Sequence, residues 1–429
     1  MSDQPPTNTA WPWLPRPARA RSMLQEFLKL EAAGGIVLLI AAVAAIIWGN
    51  VATEAYEAFW HIHASLNIEG FHLNEDLGHW VNDALMVVFF FLVGLEIKRE
   101  LVTGELNDPK RAALPLLAAV GGMAVPALIF FIFTNGTDAI DGWGIPVATD
   151  IAFVAGVLAI FGRRLPSGLR VFLLTLAIAD DIGGIAIIAI FYSSELAFDW
   201  LTASLGLVIL VFLMQRARIV SFAPYIVVGV ILWYATFESG IHATIAGVIL
   251  GLLTPARPFQ GERIMEKLEH FLLPWSNFVI VPLFALANAG VVISGESLSG
   301  AFGGRLAWGV LLGLVGGKFV GISLATLLGL VLRIGRLPSA VTIPHVFGAA
   351  ALGGIGFTVS LFIAELSFEG RESLLDQAKM GVIFGSLIAG VLGVVILFIA
   401  AKKAPVVSAT FPVLDTDNLE VPSDKSLGE

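Results

Sequence analysis

VFLLTLAIADDIGGIAIIAIFY, residues 171–192, is apolar at nearly every position except for an Asp-Asp pair at its centre. As an α-helix of 22 residues it measures about 33 Å, enough to cross a hydrocarbon core of about 30 Å. Asp180 and Asp181 then fall at its tenth and eleventh positions, at the bilayer midplane. A charge there is expensive, about 3 kcal/mol on an insertion scale. The stretch is therefore read as a membrane span that keeps its carboxylates for a purpose.

The rest of the chain has the same texture. Of 429 residues 57% are hydrophobic and 14% charged, against about 25% charged in soluble domains. Apolar blocks recur between short polar segments, giving twelve expected transmembrane helices from residue 34 to residue 401. Residues 1–33 form a cytoplasmic N-terminal segment and 402–429 a polar, disordered cytoplasmic tail in this reading. The first block, 34–48, is as short as a signal-peptide core, but the eleven blocks behind it favour a retained span.

Lys and Arg set the orientation. Alternate segments hold 21 and 3 of the 25 basic residues, which places both termini in the cytoplasm by the positive-inside rule. The remaining one, Lys318, lies inside span ten, 306–332, at its thirteenth position. Between Val51 and Leu77 there is no Lys or Arg, and apolar residues alternate on either side of Glu69-Gly70, the pattern of a small external β-hairpin. With no Cys there is neither a disulfide nor a thiolate metal site. The net charge of -9 says little about partners, since most of the acid sits in loops and tails, and no basic stripe points to nucleic acid.

Asp150, beside Thr149 in span four (145–162), joins Asp180, Asp181 and Lys318 as a fourth midplane charge. A structural ion pair accounts for Lys318 and one aspartate, leaving two carboxylates over. Excess carboxylate in low dielectric binds a proton or a small hard cation, and Asp and Thr oxygens suit Na+ or Li+. Neighbours on a helix point about 100° apart, so one of Asp180 and Asp181 can pair with Lys318 while the other faces a cavity.

Pro146 precedes Asp150 by four residues, and span eleven (340–364) carries Pro344 and Gly353-Gly354-Ile355-Gly356. Both spans read as broken at mid-membrane, and they run antiparallel. Interrupted helices at corresponding places in two halves are the mark of an inverted-repeat secondary transporter. Three other readings are weaker. Residues 313–318 lack the residues and the strand of a phosphate loop. An intramembrane aspartyl protease needs two aspartates sharing a proton across facing helices, which adjacent residues cannot do. A passive Na+ channel is a third possibility and would carry current with no proton coupling.

The stretches 93–100 (VGLEIKRE), 148–153 (ATDIAF), 179–183 (ADDIG), 239–244 (SGIHAT), Gly317-Lys318 and 353–360 resemble the NhaA family of bacterial sodium/proton antiporters, collinearly from about Glu26 to Lys402. The resemblance implies exchange of cytoplasmic Na+ or Li+ for external protons by alternating access in the inner membrane, without a cofactor and switched on at alkaline pH, for sodium and pH homeostasis. It implies Asp181 as the principal cation ligand, Asp150 and Thr149 beside it, and Asp180 as the partner of Lys318. It places a pH-sensing group at the cytoplasmic mouth on Glu96, Arg99 and Glu269, with His270 and His242 linked to it. Leu273 stands where the family often has a second histidine, which would shift the pH set-point. The external hairpin resembles the family's homodimer contact.

Overall fold

A computed structural model describes residues 17–68, 71–193, 196–219, 221–259 and 261–403. These residues are almost wholly helical, with one two-stranded sheet. The helix α1 (Pro17–Val51) begins well before the first apolar block, so the basic segment ahead of the span continues it as helix. The short helix α2 (Thr53–Trp60) follows, where a loop was expected, and then come β1 (His63–Ile68) and β2 (Phe71–Asp76). They pair antiparallel from His63↔Asp76 to Ile68↔Phe71. That register leaves two residues for the turn, as the sequence pattern required; the expected turn residues Glu69 and Gly70 lie outside the described residues.

Asp76 ends β2 and starts the next helix at once, its carboxylate accepting from the His79 N–H at 2.8 Å. From there run α3 (Leu77–Val102), α4 (Pro109–Thr134), the 3-10 segment Ile140–Val147 leading to α5 (Ile151–Phe161), α6 (Ser167–Phe191) and α7 (Phe198–Arg216). After them come α8 (Phe222–Glu238), α9 (Thr244–Leu253), α10 (Ile264–Asn288), α11 (Gly295–Gly303), α12 (Leu306–Val331), α13 (Ile343–Leu352), α14 (Phe357–Ser367) and α15 (Glu372–Lys403). Among the described residues nine segments are long and apolar enough to cross a bilayer, or ten with α13 and α14 counted as one bent span. The two further spans expected from sequence correspond to α8 and α9, apolar helices that are shorter.

Burial separates a lipid-facing surface from a tight interior. Leu205, Ile209 and Phe212 of α7 and Ile226 and Val230 of α8 are exposed, as lipid-facing side chains are. Inside, Phe130, Phe172, Phe284 and Phe362 are fully buried, and so is Lys318. The helix that carries Lys318 is seated by close backbone approach: Gly121 of α4 faces Gly321 of α12, and a Cβ on either would strike the other's carbonyl oxygen.

Both expected breaks are present. Span four leaves helical geometry at Ala148 and Asp150, whose ψ angles are 154° and 100°. Span eleven turns by 43° between α13 and α14, where Gly353, Gly354 and Gly356 weaken the helix. The breaks touch. Asp150 donates its N–H to Ile355 O at 2.7 Å, Thr149 Oγ1 donates to Gly353 O at 2.8 Å, and Ser360 Oγ donates to Ile145 O at 2.7 Å. The two broken segments therefore cross in direct contact. A Cβ at Gly356 would come within 3.0 Å of Ala148 O, so the crossing needs glycine there.

Candidate functional site

The freed backbone ends at the crossing determine which side chains can stand there. Helices α5 and α14 both present N-termini at it, and each carries about half a positive charge. Asp150 serves both: Oδ1 accepts from the Phe153 N–H of its own helix at 3.0 Å. Oδ2 accepts from the Thr358 N–H at 3.0 Å and the Thr358 hydroxyl at 2.7 Å. Its charge is matched by two helix ends.

Lys318 lies where a carbonyl end is exposed. Its Nζ donates to Thr149 Oγ1 at 3.0 Å, and that hydroxyl passes its own proton to Gly353 O just past the end of α13. Nζ also forms a buried ion pair with Asp180 Oδ2. Both side chains are wholly enclosed, and the second carboxylate oxygen of Asp180 has no partner. Immediately before Lys318, the π-helical turn Gly313–Gly317 widens α12.

One position along α6, Asp181 turns away from this pair. It opens onto a cavity of about 40 Å³ that Glu96, Asp150, Thr358, Ser276 and Asn277 also line. Among the described residues no group donates a hydrogen bond to the Asp181 carboxylate. On its other side Phe89, Phe90, Ile185, Ile188 and Val359 leave only about 10 Å³ of apolar space. The larger cavity therefore joins Asp181 to Glu96, three residues before Arg99 on α3.

These five residues from the sequence reading, Asp150, Thr149, Asp180, Asp181 and Lys318, thus meet at one place. The other five do not form a single cluster. Arg99 Nη1 bonds Glu269 Oε2 at 3.0 Å, tying α3 to α10, and Glu96 lines the cavity one turn deeper. His270 is exposed beside Glu269. His242 stands apart, edge-on to Phe362 with ring centres 5.6 Å apart and Nδ1 buried without a partner. Leu273, at the expected histidine position, lines the cavity as an apolar wall. Thr358, Ser276 and Asn277 were not singled out from sequence. Their only signal there is polarity inside apolar spans, which for Ser and Thr commonly means a bond to the preceding turn.

The chain matches the model of the family described as Na+/H+ antiporter 1 over residues 25–397. It belongs to that family. It is 47% identical over 380 residues to the Na+/H+ antiporter NhaA of Proteus mirabilis, covering 88% of this chain and 96% of that protein. It is 44% identical to the Na+/H+ antiporter NhaA 2 of Clostridium beijerinckii over 380 residues, 86% of this chain and 92% of the relative. Its identity to NhaA 2 of Erythrobacter litoralis is also 44%, over 392 residues, 91% and 97% of the two chains. A multi-pass NhaA-family antiporter is a transporter rather than an enzyme, and Na+ and H+ are its cargo. Among the described residues no three His, Asp or Glu side chains converge as a cage for a metal ion.

Proposed function

We propose that this chain exchanges Na+ or Li+ for protons at Asp181 by alternating access, and that the cation and the proton compete for that carboxylate. The observation that carries the reading is the division of labour among the midplane aspartates. Asp150 is committed to two helix ends and Asp180 to Lys318, while Asp181 faces the cavity without a hydrogen-bond partner. Thr149 and Asp150 border that cavity as the cation's neighbours, and the Asp180–Lys318 pair is the second proton-linked element.

The Lys and Arg distribution assigns the Lys98–Arg99 end of α3 to the cytoplasmic side of the inner membrane, with both termini on that side, and the cavity reaches Glu96 one turn inside it. Glu96, Arg99, Glu269 and His270 at this mouth, with His242 deeper, are the groups through which pH would govern activity. Twelve spans in two inverted repeats organise the transporter, a reading supported by the touching breaks in spans four and eleven. The hairpin 63–76 is the proposed homodimer contact. Such exchange serves sodium and pH homeostasis and salt tolerance.

The test is Asp181→Asn in proteoliposomes bearing an imposed ΔpH. Addition of Na+ or Li+ is expected to collapse the gradient with the unaltered protein and leave it standing with the variant. Normal collapse by the variant would overturn the assignment, and K+ serves as control cation.

A further inference from the structure

We propose that Ser276 and Asn277 supply neutral oxygen ligands, directly or through one water, to the cation held at Asp181, and thereby set its affinity and the Na+ to Li+ ranking. The inference rests on the reading of Asp181 as the cation site. A small hard cation gathers about six oxygens, and Asp181 provides two. The other oxygens bordering the cavity are largely engaged. Both oxygens of Asp150 accept hydrogen bonds, the Thr149 hydroxyl lies between Lys318 and Gly353, and the Thr358 hydroxyl donates to Asp150.

Besides the Glu96 carboxylate, Ser276 and Asn277 are the exception. They are 1% and 7% exposed, they line the cavity with Asp181, and among the described residues neither the Ser276 hydroxyl nor either end of the Asn277 amide makes a hydrogen bond, which leaves the amide oxygen for a cation and the amide nitrogen for a bridging water or a carboxylate. Orphaned buried polar groups are rare because each forfeits its hydration. Alanine or valine would line an empty pocket at no such cost, so these groups point to a polar occupant.

The local backbone holds them in place. Ser276–Ile280 is a π-helical turn in α10, a device that re-aims side chains at ligand sites. Gly34 of α1 backs Asn277 so closely that a Cβ there would lie 2.7 Å from Asn277 Cβ. The cavity of about 40 Å³ has room for roughly three waters at ~10–15 Å³ each, so cation and bridging water fit together.

Full-length Ser276→Ala, Asn277→Ala and the double variant, reconstituted in proteoliposomes, are to be compared with the unaltered chain for Na+- and Li+-driven ΔpH collapse. Calorimetric titration of Na+ into the detergent-solubilised proteins gives affinity independently of transport. Each single variant is expected to raise the apparent KM for Na+ about fivefold, the order of one lost polar contact. Maximal rate should stay within about twofold, the Li+ to Na+ preference should shift, and Ser276→Thr should restore KM. Asn277→Asp, which keeps an oxygen in place, should lower KM and covers the case in which the alanine variants fail to fold. Unchanged KM and ion preference in folded variants would overturn the inference. If Asp181→Asn then still abolishes exchange, the Asp181 reading stands without it; if Asp181→Asn exchanges normally, both fall.

Discussion

Asp150 illustrates how a single side chain can stabilise a crossing of two broken spans. An isolated carboxylate at the midplane is costly, but this one accepts three protein hydrogen bonds and sits between two helix N-termini. Both of its oxygens are thus engaged by the crossing, which supports the proposed placement of exchange at Asp181 with Asp150 beside it. The hydroxyl of Thr358 is the bond that can be removed alone. Thr358→Val keeps the backbone donor and is expected to lower stability by about 1.5–3 kcal/mol, the range for a hydrogen bond to a charged group. Thermal unfolding followed by tryptophan fluorescence measures it, and an unchanged midpoint would mean that the hydroxyl contributes nothing. Sequence placed Asp150, Thr149 and the glycine cluster near one another, since a charge needs compensation. It did not reveal which oxygens were spent, because that depends on how two distant segments cross.

At the scale of elements, the Asp180–Lys318 pair joins α6 to α12 inside a fully enclosed space. Desolvating both ions costs several kcal/mol each, and their attraction returns that energy only while both are present. Lys318→Ala should therefore destabilise the protein by about 3–5 kcal/mol by stranding a buried carboxylate. The double variant Asp180→Asn, Lys318→Met should recover most of that loss. A thermal double-mutant cycle reads the coupling, and additive losses would show that the two side chains do not act together. The pairing was partly legible: two adjacent aspartates cannot face one way, so one had to be free for a cavity. Which one pairs is decided by the rotation of α6 against α12, set by packing such as the Gly121–Gly321 contact. The breaks themselves were legible because Pro146 and three glycines within four residues are poor helix formers wherever they occur. The helix α2 was not, since its eight residues lie in a polar loop and are held by aromatic packing among Trp48, Tyr56, Phe59 and Trp60.

For the whole molecule, one end of the bundle carries the hairpin and the other most of the Lys and Arg. The two-stranded sheet is too small to be stable alone and is anchored where Trp80 Nε1 donates to Ala64 O at 2.9 Å and where Asp76 caps α3. A free strand edge of this kind is suited to pairing with a second copy. Deleting residues 63–76 with a short glycine linker is expected to convert the proposed dimer to a monomer in mass measurements on detergent-solubilised protein, with ΔpH collapse retained. A variant that remains dimeric would place the contact elsewhere.

Sequence alone determined that the chain crosses a membrane many times, where its spans break, and which few charges lie at the midplane. These are properties of composition and of position along a single helix, governed by hydrophobic length and by the cost of burying charge. Only the tertiary structure decided how those charges divide their work. The commitment of Asp150 to two helix ends, the enclosure of Lys318 with Asp180, and the opening of Asp181 onto a cavity with Ser276 and Asn277 all depend on contacts between residues 130 or more positions apart or on the space left between helices. Such contacts follow from the rotation and crossing of packed helices, which no local pattern of residues encodes.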